Sequence, residues 1–103
     1  LSSVERYDPA ANSWEAVAPM ATARVVLAVA VLDGKLYAVG GINDGGFLSS
    51  VERFDLVTNE WEAVAPMGTS RALAGVAVLD GKLYAVGGQN YDDEHLSSVE
   101  RYD

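Results

Sequence analysis

Cysteine is absent from the 103 residues, which removes disulfides, thiolate metal sites and a cysteine nucleophile together, and is compatible with any redox compartment. Histidine occurs once, at His95, so a nucleophile activated by a base that a third group orients has almost nothing to draw on. Basic residues are scarce. Seven Lys and Arg stand against 15 Asp and Glu, a formal charge of −8, and with no local cluster of Lys and Arg the chain repels phosphate backbones, which argues against nucleic acid as a partner. Long hydrophobic runs are missing as well. The longest, Val25 to Leu32, falls far short of the roughly 18 to 20 apolar residues of a membrane span. A soluble chain with no membrane partner is therefore expected, cytoplasmic where it is expressed recombinantly. Leu1 opens without a basic-then-apolar leader, so secretion has no support, and the missing initiator Met is expected of a processed or partial product. Amphipathic helix spacing appears nowhere over a useful length.

What is present in abundance is repetition. The string LSSVERYD starts at Leu1, recurs at Leu48 with Phe54 in place of Tyr7, and returns unchanged at Leu96. Between Leu1–Gly41 and Leu48–Gly88, 30 of 41 positions are identical. A period in this range marks a repeat architecture, because each unit is too small to bury its apolar face alone and stacks on a neighbour. The chain divides into repeat 1 (residues 1–47), repeat 2 (48–95) and the start of a further repeat (96–103), read as the third strand of a blade.

Each period holds four short apolar runs separated by turn signals, the spacing of antiparallel strands. Val25 to Leu32 is read as a continuous strand with both faces buried, and Asp33-Gly34 as the two-residue hairpin turn that follows it. Lys35 to Gly40 returns, and Gly40-Gly41 ends that strand where backbones approach closely. A polar loop is expected over 42–47, then strands at Ser50 to Phe54 and Trp61 to Ala65, the last stopped by Pro66, which has no amide hydrogen to give. The second copy repeats the hairpin at Ala72 to Leu79, Asp80-Gly81 and Lys82 to Gly87.

The paired glycines Gly40-Gly41 and Gly87-Gly88, with Tyr37, Tyr84, Trp14 and Trp61, resemble Kelch repeats over the full chain, and the copies around SVERYD, SWEAVAPM and LDGKLYAVGG are most similar to the adaptor branch of that family. The resemblance implies an all-β Kelch-type β-propeller of four-stranded blades. Arg24 to Leu32 would line its channel, and Trp14 to Ala18 would form an outer edge. Propellers need roughly 4 to 8 blades to close, whereas this chain holds two blades' worth of strands and a ninth strand. Because residues 96–103 restate residues 1–8, the whole unit has a period of 95 residues and two blades. Three units would give six blades, either in one longer parent chain or as a homotrimer with head-to-tail contacts. In such a trimer the two copies of LSSVERYD compete for one place, and one must be displaced or swapped.

Few residues offer chemistry. In the resembled family, arginines at the position of Arg24 and Arg71 bind acidic peptides, which makes these two the ligand-binding candidates; structural pairing or solvation is the competing reading. The segments following them, Val25-Val26-Leu27-Ala28 and Ala72-Leu73-Ala74-Gly75, narrow or grease the channel mouth. The segments 42–47 and 89–95 differ in sequence and length while their frames match, and loops on a rigid scaffold are where recognition is placed. Asn43, Asp44, Gln89, Asn90 and Tyr91 are therefore further binding candidates. Asp92, Asp93, Glu94 and His95 are a weak metal set, one imidazole beside carboxylates, against the alternative of a solvated acidic loop. The pairs Glu5-Arg6, Glu52-Arg53 and Glu100-Arg101 are read as structural, each member reaching a different neighbouring strand because adjacent residues face opposite ways.

No cofactor is expected and no enzyme. The histidines and cysteine-linked tyrosine of copper oxidases built on such propellers are absent, and Gly40-Gly41 has no following helix to make a phosphate cradle. Recurrence even of exposed residues, Ser2, Ser3, Glu15 and Lys35 as Ser49, Ser50, Glu62 and Lys82, points to consensus design, with recent duplication as the alternative. The leading expectation is a designed symmetric scaffold that assembles with itself and has no catalytic activity. The rival is a protein- or peptide-binding module resembling the substrate-recognition domain of ubiquitin-ligase adaptors.

Overall fold

A computed structural model describes residues 1–90 and 95–102. Among them there is no helix, and hence none long and apolar enough to cross a membrane. The chain opens with β1 (Val4–Asp8) and β2 (Ser13–Val17), an antiparallel pair in the register Val4↔Val17 to Asp8↔Ser13. β3 (Ala28–Leu32) and β4 (Lys35–Val39) form a hairpin, followed by the two-residue strands β5 (Ile42–Asn43) and β6 (Gly46–Phe47). β7 (Val51–Asp55) and β8 (Glu60–Val64) repeat the β1–β2 register as Val51↔Val64 to Asp55↔Glu60. β9 (Gly75–Leu79), β10 (Lys82–Val86) and β11 (Val99–Tyr102) end the described chain.

These strands make one complete four-stranded blade in the order β3-β4-β7-β8, a three-stranded sheet β11-β10-β9, and the isolated pair β1-β2. The complete blade takes its first hairpin from repeat 1 and its second from repeat 2, so blades and sequence repeats are out of phase. Two blades' worth of strands and a ninth were expected, and the strands match that count: beyond the complete blade, β9 and β10 correspond to β3 and β4, β1 and β2 to β7 and β8, and β11 repeats the sequence of β1.

Turn chemistry explains the hairpins. Asp33-Gly34 and Asp80-Gly81 hold positive φ at both positions, 51° and 75°, then 52° and 73°, as a turn matched to right-handed strand twist requires. At Gly40 the demand is steric as well: φ is 62°, and a Cβ would lie 2.3 Å from the carbonyl oxygen of Arg71. Gly41 then donates its amide to that same Arg71 oxygen at 2.8 Å, linking the complete blade to its neighbour.

Two expectations are corrected. The strand from Val25, expected to be continuous and buried on both faces, begins only at Ala28 and leaves Val29 and Val31 58% and 62% exposed, and that from Ala72 begins only at Gly75. Val26 and Leu73 adopt φ of 50° and 58°, which breaks the extended run, while Val25 and Ala72 keep single bridges to Ile42 and Gln89. Nor is the 42–47 segment a plain loop. It folds back as β5 and β6, with the Asn43 side-chain oxygen accepting from the Gly45 amide at 2.8 Å, a local bond that stabilises such turns.

The core lies between the two larger sheets, where Leu32, Tyr37, Val39, Val51 and Leu83 pack together with Met67, Val76 and Tyr102 against them. β4 is buried on both faces over Tyr37, Ala38 and Val39, because β3 and β7 flank it and blades cover its sides. Each such aliphatic side chain removed from water contributes roughly 1.5–3 kcal/mol, so the stacking of blades dominates stability.

Candidate functional site

The two arginines proposed as ligand contacts point inward. Arg24 and Arg71 have side chains with no solvent exposure. Arg24 donates through Nη1 to the carbonyls of Gly40 and Ser50, both at 2.9 Å, and through Nη2 to Ser50 Oγ at 3.1 Å and Glu52 at 3.0 Å. Arg71 repeats the set with Gly87, Ser98 and Glu100 at 2.9 Å each. A guanidinium brings five donors in a rigid fork, and here nearly all are consumed by the blade; Arg24 Nε alone is buried without a partner among the described residues. Neither group faces solvent, so the acidic-peptide role gives way to a structural one.

The carboxylates complete the frame. Glu52 accepts from the amides of Ala21 and Thr22 at 2.8 and 3.1 Å, and Glu100 from Gly68 and Thr69 at 2.6 and 3.2 Å. Partial burial pushes the Glu100 carboxyl up, but the Gly68 amide and the Arg71 guanidinium outweigh it and hold the group below its ordinary range. On the opposite face of β7, Arg53 bonds the Tyr37 hydroxyl at 3.3 Å and pairs with Glu62, and these two partners raise the Arg53 pKa above its ordinary range. Glu52 and Arg53 thus turn to different neighbours, as strand alternation requires. Glu5, in the corresponding place on β1, is exposed.

The variable segments rise from the glycine-pair end of neighbouring blades. Asp44 is exposed at the tip of the β5–β6 turn while Asn43 braces it. Gln89 bridges both Ala72 and His95 through its backbone, and Asn90 also has a bonding partner. Tyr91, Asp92, Asp93 and Glu94 lie outside the described residues. His95 is exposed, and among the described residues no three His, Asp or Glu side chains are gathered for a metal.

The most extensive chemistry on offer is apolar and lies where blades meet. On one side of the complete blade, Tyr37 and Tyr102 place ring centroids 5.8 Å apart beside a cavity of about 230 Å³ that Val39, Val51, Met67 and Leu83 help line. On the other side, Val4, Val17, Val31, Leu36, Phe54 and Leu56 bound a wider groove of about 380 Å³ between β1–β2 and the blade. Trp61 Nε1 donates across this second junction to the Ala18 carbonyl at 2.8 Å. Beyond the chain's own contacts, Val31, Leu79 and Trp14 remain 62%, 62% and 66% exposed. These surfaces, with Ser50 and Ser98, were missed in the sequence, whereas Glu52 and Glu100 have the structural role read for them. The available signal was Ser50-x-Glu52, two residues apart and therefore on one strand face.

Comparison with known proteins gives the same architecture. The family model described as "Kelch motif" matches residues 1–21, 24–68 and 70–103, and its middle segment spans the complete blade. Human Kelch-like protein 35 is 52% identical over 46 residues, which cover 45% of this chain and 8% of that protein. The mouse influenza virus NS1A-binding protein homolog is 51% identical over 43 residues, 42% of this chain and 7% of that one. The chain thus spans under a tenth of the curated relatives it matches. The solved structure of YjhT superposes with a TM-score of 0.79 at 28% identity, covering 88% of this chain and 29% of the other.

Proposed function

The chain belongs to the Kelch family, and from that premise we propose that it is a non-catalytic scaffold, a two-blade unit repeated until six blades close a ring, either along one longer chain or between copies. The observation that carries this reading is the junction between blades. It occurs in full once inside the chain, and its two halves recur uncovered at opposite ends, as the β1–β2 side with Val4 and as the β9–β10 side with Val86. Recurrence of exposed residues between the copies supports consensus construction as the origin of the repeat. Native mass spectrometry tests the reading: a mass near three units is expected, and a well-folded species that stays at one unit across micromolar concentrations overturns it.

A second function, binding of a protein or peptide partner, is supported by the placement of sequence variation. Asn43, Asp44, Gln89 and Asn90 sit where the frames of the two repeats agree and the connecting segments differ, and one relative is named for a protein it binds. The test is a peptide-array screen on the assembled protein. Binding should disappear with Asp44→Ala plus Asn90→Ala and survive Lys35→Ala on a distant turn; binding indifferent to the loop changes would remove the loops from the role.

A further inference from the structure

Val26 and Leu73 occupy the same place in the two repeats, two residues after Arg24 and Arg71, and both hold a backbone that glycine adopts without strain, with φ of 50° and 58°. A β-branched or bulky residue is strained there, and such strain persists only where surrounding contacts over-determine it, typically at ligand clamps and switch segments. Packing does not offset it. Val26 has the following blade beside it, its carbonyl accepting from the Leu73 amide at 3.1 Å, and remains 39% exposed; Leu73 has the preceding blade beside it and remains 60% exposed. Neither neighbour therefore covers this position. Val25 differs, because its counterpart Ala72, beside a preceding blade, is 1% exposed, so a neighbour seals that place.

The two apolar residues stand between the variable segments. Val25 exchanges backbone bonds with Ile42 at 2.9 Å in each direction, and Ala72 with Gln89 at 2.9 and 3.0 Å, so the β5–β6 hairpin rises beside Val26 and the segment from Gln89 beside Leu73. An apolar centre within a polar rim, here Asn43, Asp44, Gln89 and Asn90, is the anatomy of a recognition surface. The charge at this end has one sign. Arg24 and Arg71 are buried and consumed by the frame; Arg6, Arg53 and Arg101 lie along β1, β7 and β11, and Lys35 and Lys82 follow the Asp-Gly turns at the opposite end of the blades. Asp44 is exposed, on a chain of formal charge −8. An acidic peptide would thus meet a carboxylate and, among the described residues, no exposed Lys or Arg at this end. Resting on the loop-binding function above, we propose that Val26 and Leu73 are the apolar anchors of this surface and that its partner is a peptide segment carrying an aliphatic side chain flanked by Lys or Arg.

The test is an array of short peptides of randomised sequence, probed with the full chain and read for residue preference. Bound peptides should be enriched in Leu, Ile or Val beside Lys or Arg, and their binding should weaken as salt is raised. Enrichment in Asp or Glu, or in uncharged polar residues alone, would overturn the partner and leave the loop function standing, whereas an array with no bound peptide would remove both. The tightest peptide is then titrated by fluorescence polarisation. Val26→Gly plus Leu73→Gly should weaken it about tenfold while the thermal midpoint stays at or above the parent's, because glycine relieves the strain. Val26→Asn plus Leu73→Asn, which keeps a residue tolerant of positive φ but removes the apolar surface, should weaken it as much. Binding that survives both pairs of changes, yet is lost in Asp44→Ala plus Asn90→Ala, would overturn the anchors and keep the loops in the role.

Discussion

Arg24 Nη2 lies 3.0 Å from a carboxylate oxygen of Glu52, with the two side chains 0% and 4% exposed, and the pair ties the segment entering the blade to its third strand. Arg71 and Glu100 repeat the contact at 2.9 Å, but the carboxylate there is 28% exposed. Identical sequence thus gives two environments, because the blade holding Glu52 is complete and the one holding Glu100 lacks its outer strand.

That difference predicts unequal costs. Glu52→Ala leaves a buried guanidinium without its counter-charge and should destabilise by about 3–5 kcal/mol. Glu100→Ala, with water able to reach the vacated place, should cost roughly a third as much. Urea unfolding followed by circular dichroism compares them, and equal losses would mean that the two pairs are equally sealed.

Acid should act through Glu100. Its folded-state pKa lies below the ordinary 4.5, so between the two values the folded state binds fewer protons than the unfolded state. Its contribution is complete above about pH 4.5 and is lost as pH falls through the depressed value. Thermal midpoints recorded from pH 6 to pH 3 should fall less steeply in Glu100→Gln than in the parent; parallel curves would assign acid sensitivity to other groups.

Glycine replacements separate backbone strain from collision. Gly34→Ala meets only the penalty of a positive φ of 75° in open space, about 1–2 kcal/mol. Gly40→Ala adds a Cβ 2.3 Å from the Arg71 carbonyl and should be at least twice as costly, with loss of the Gly41 amide bond that joins the blades. Hydrogen exchange at Gly41 reads the second effect directly, and protection there equal to the parent would show that the backbone absorbs the clash.

The tryptophans should also differ. Trp61→Phe removes the indole bond to Ala18 and leaves that carbonyl unmet, at a cost of about 1–3 kcal/mol, while Trp14, 66% exposed, should tolerate the same change within about 0.5–1 kcal/mol. Equal costs in denaturant melts would argue against the bond as a link between blades.

How far the sequence revealed this structure depends on the scale of the interaction. Asp33-Gly34, Gly40-Gly41 and Pro66 encode their geometry locally, through positive φ, close approach and a missing donor, so the strand order could be read directly. Arg24 and Arg71 could not be placed in that way. An arginine beside an apolar run suits a channel mouth as well as a buried frame, and only the convergence of Ser50, Gly40 and Glu52 decides between them. Val26 and Leu73 were unreadable for the opposite reason: β-branched and bulky residues disfavour positive φ, and the contacts that hold them there come from other segments. The phase of the blade, by contrast, was legible: 24–32 was read as the inner strand and 14–18 as an outer edge, in keeping with the order β3-β4-β7-β8.

That phase has a practical consequence. If the 95-residue period is opened at Arg24 instead of Leu1, running from residue 24 to 95 and then through 1 to 23, the permuted order reads β3-β4-β7-β8 and then β9-β10-β1-β2. Such a circular permutant would hold two whole blades with no strand left over.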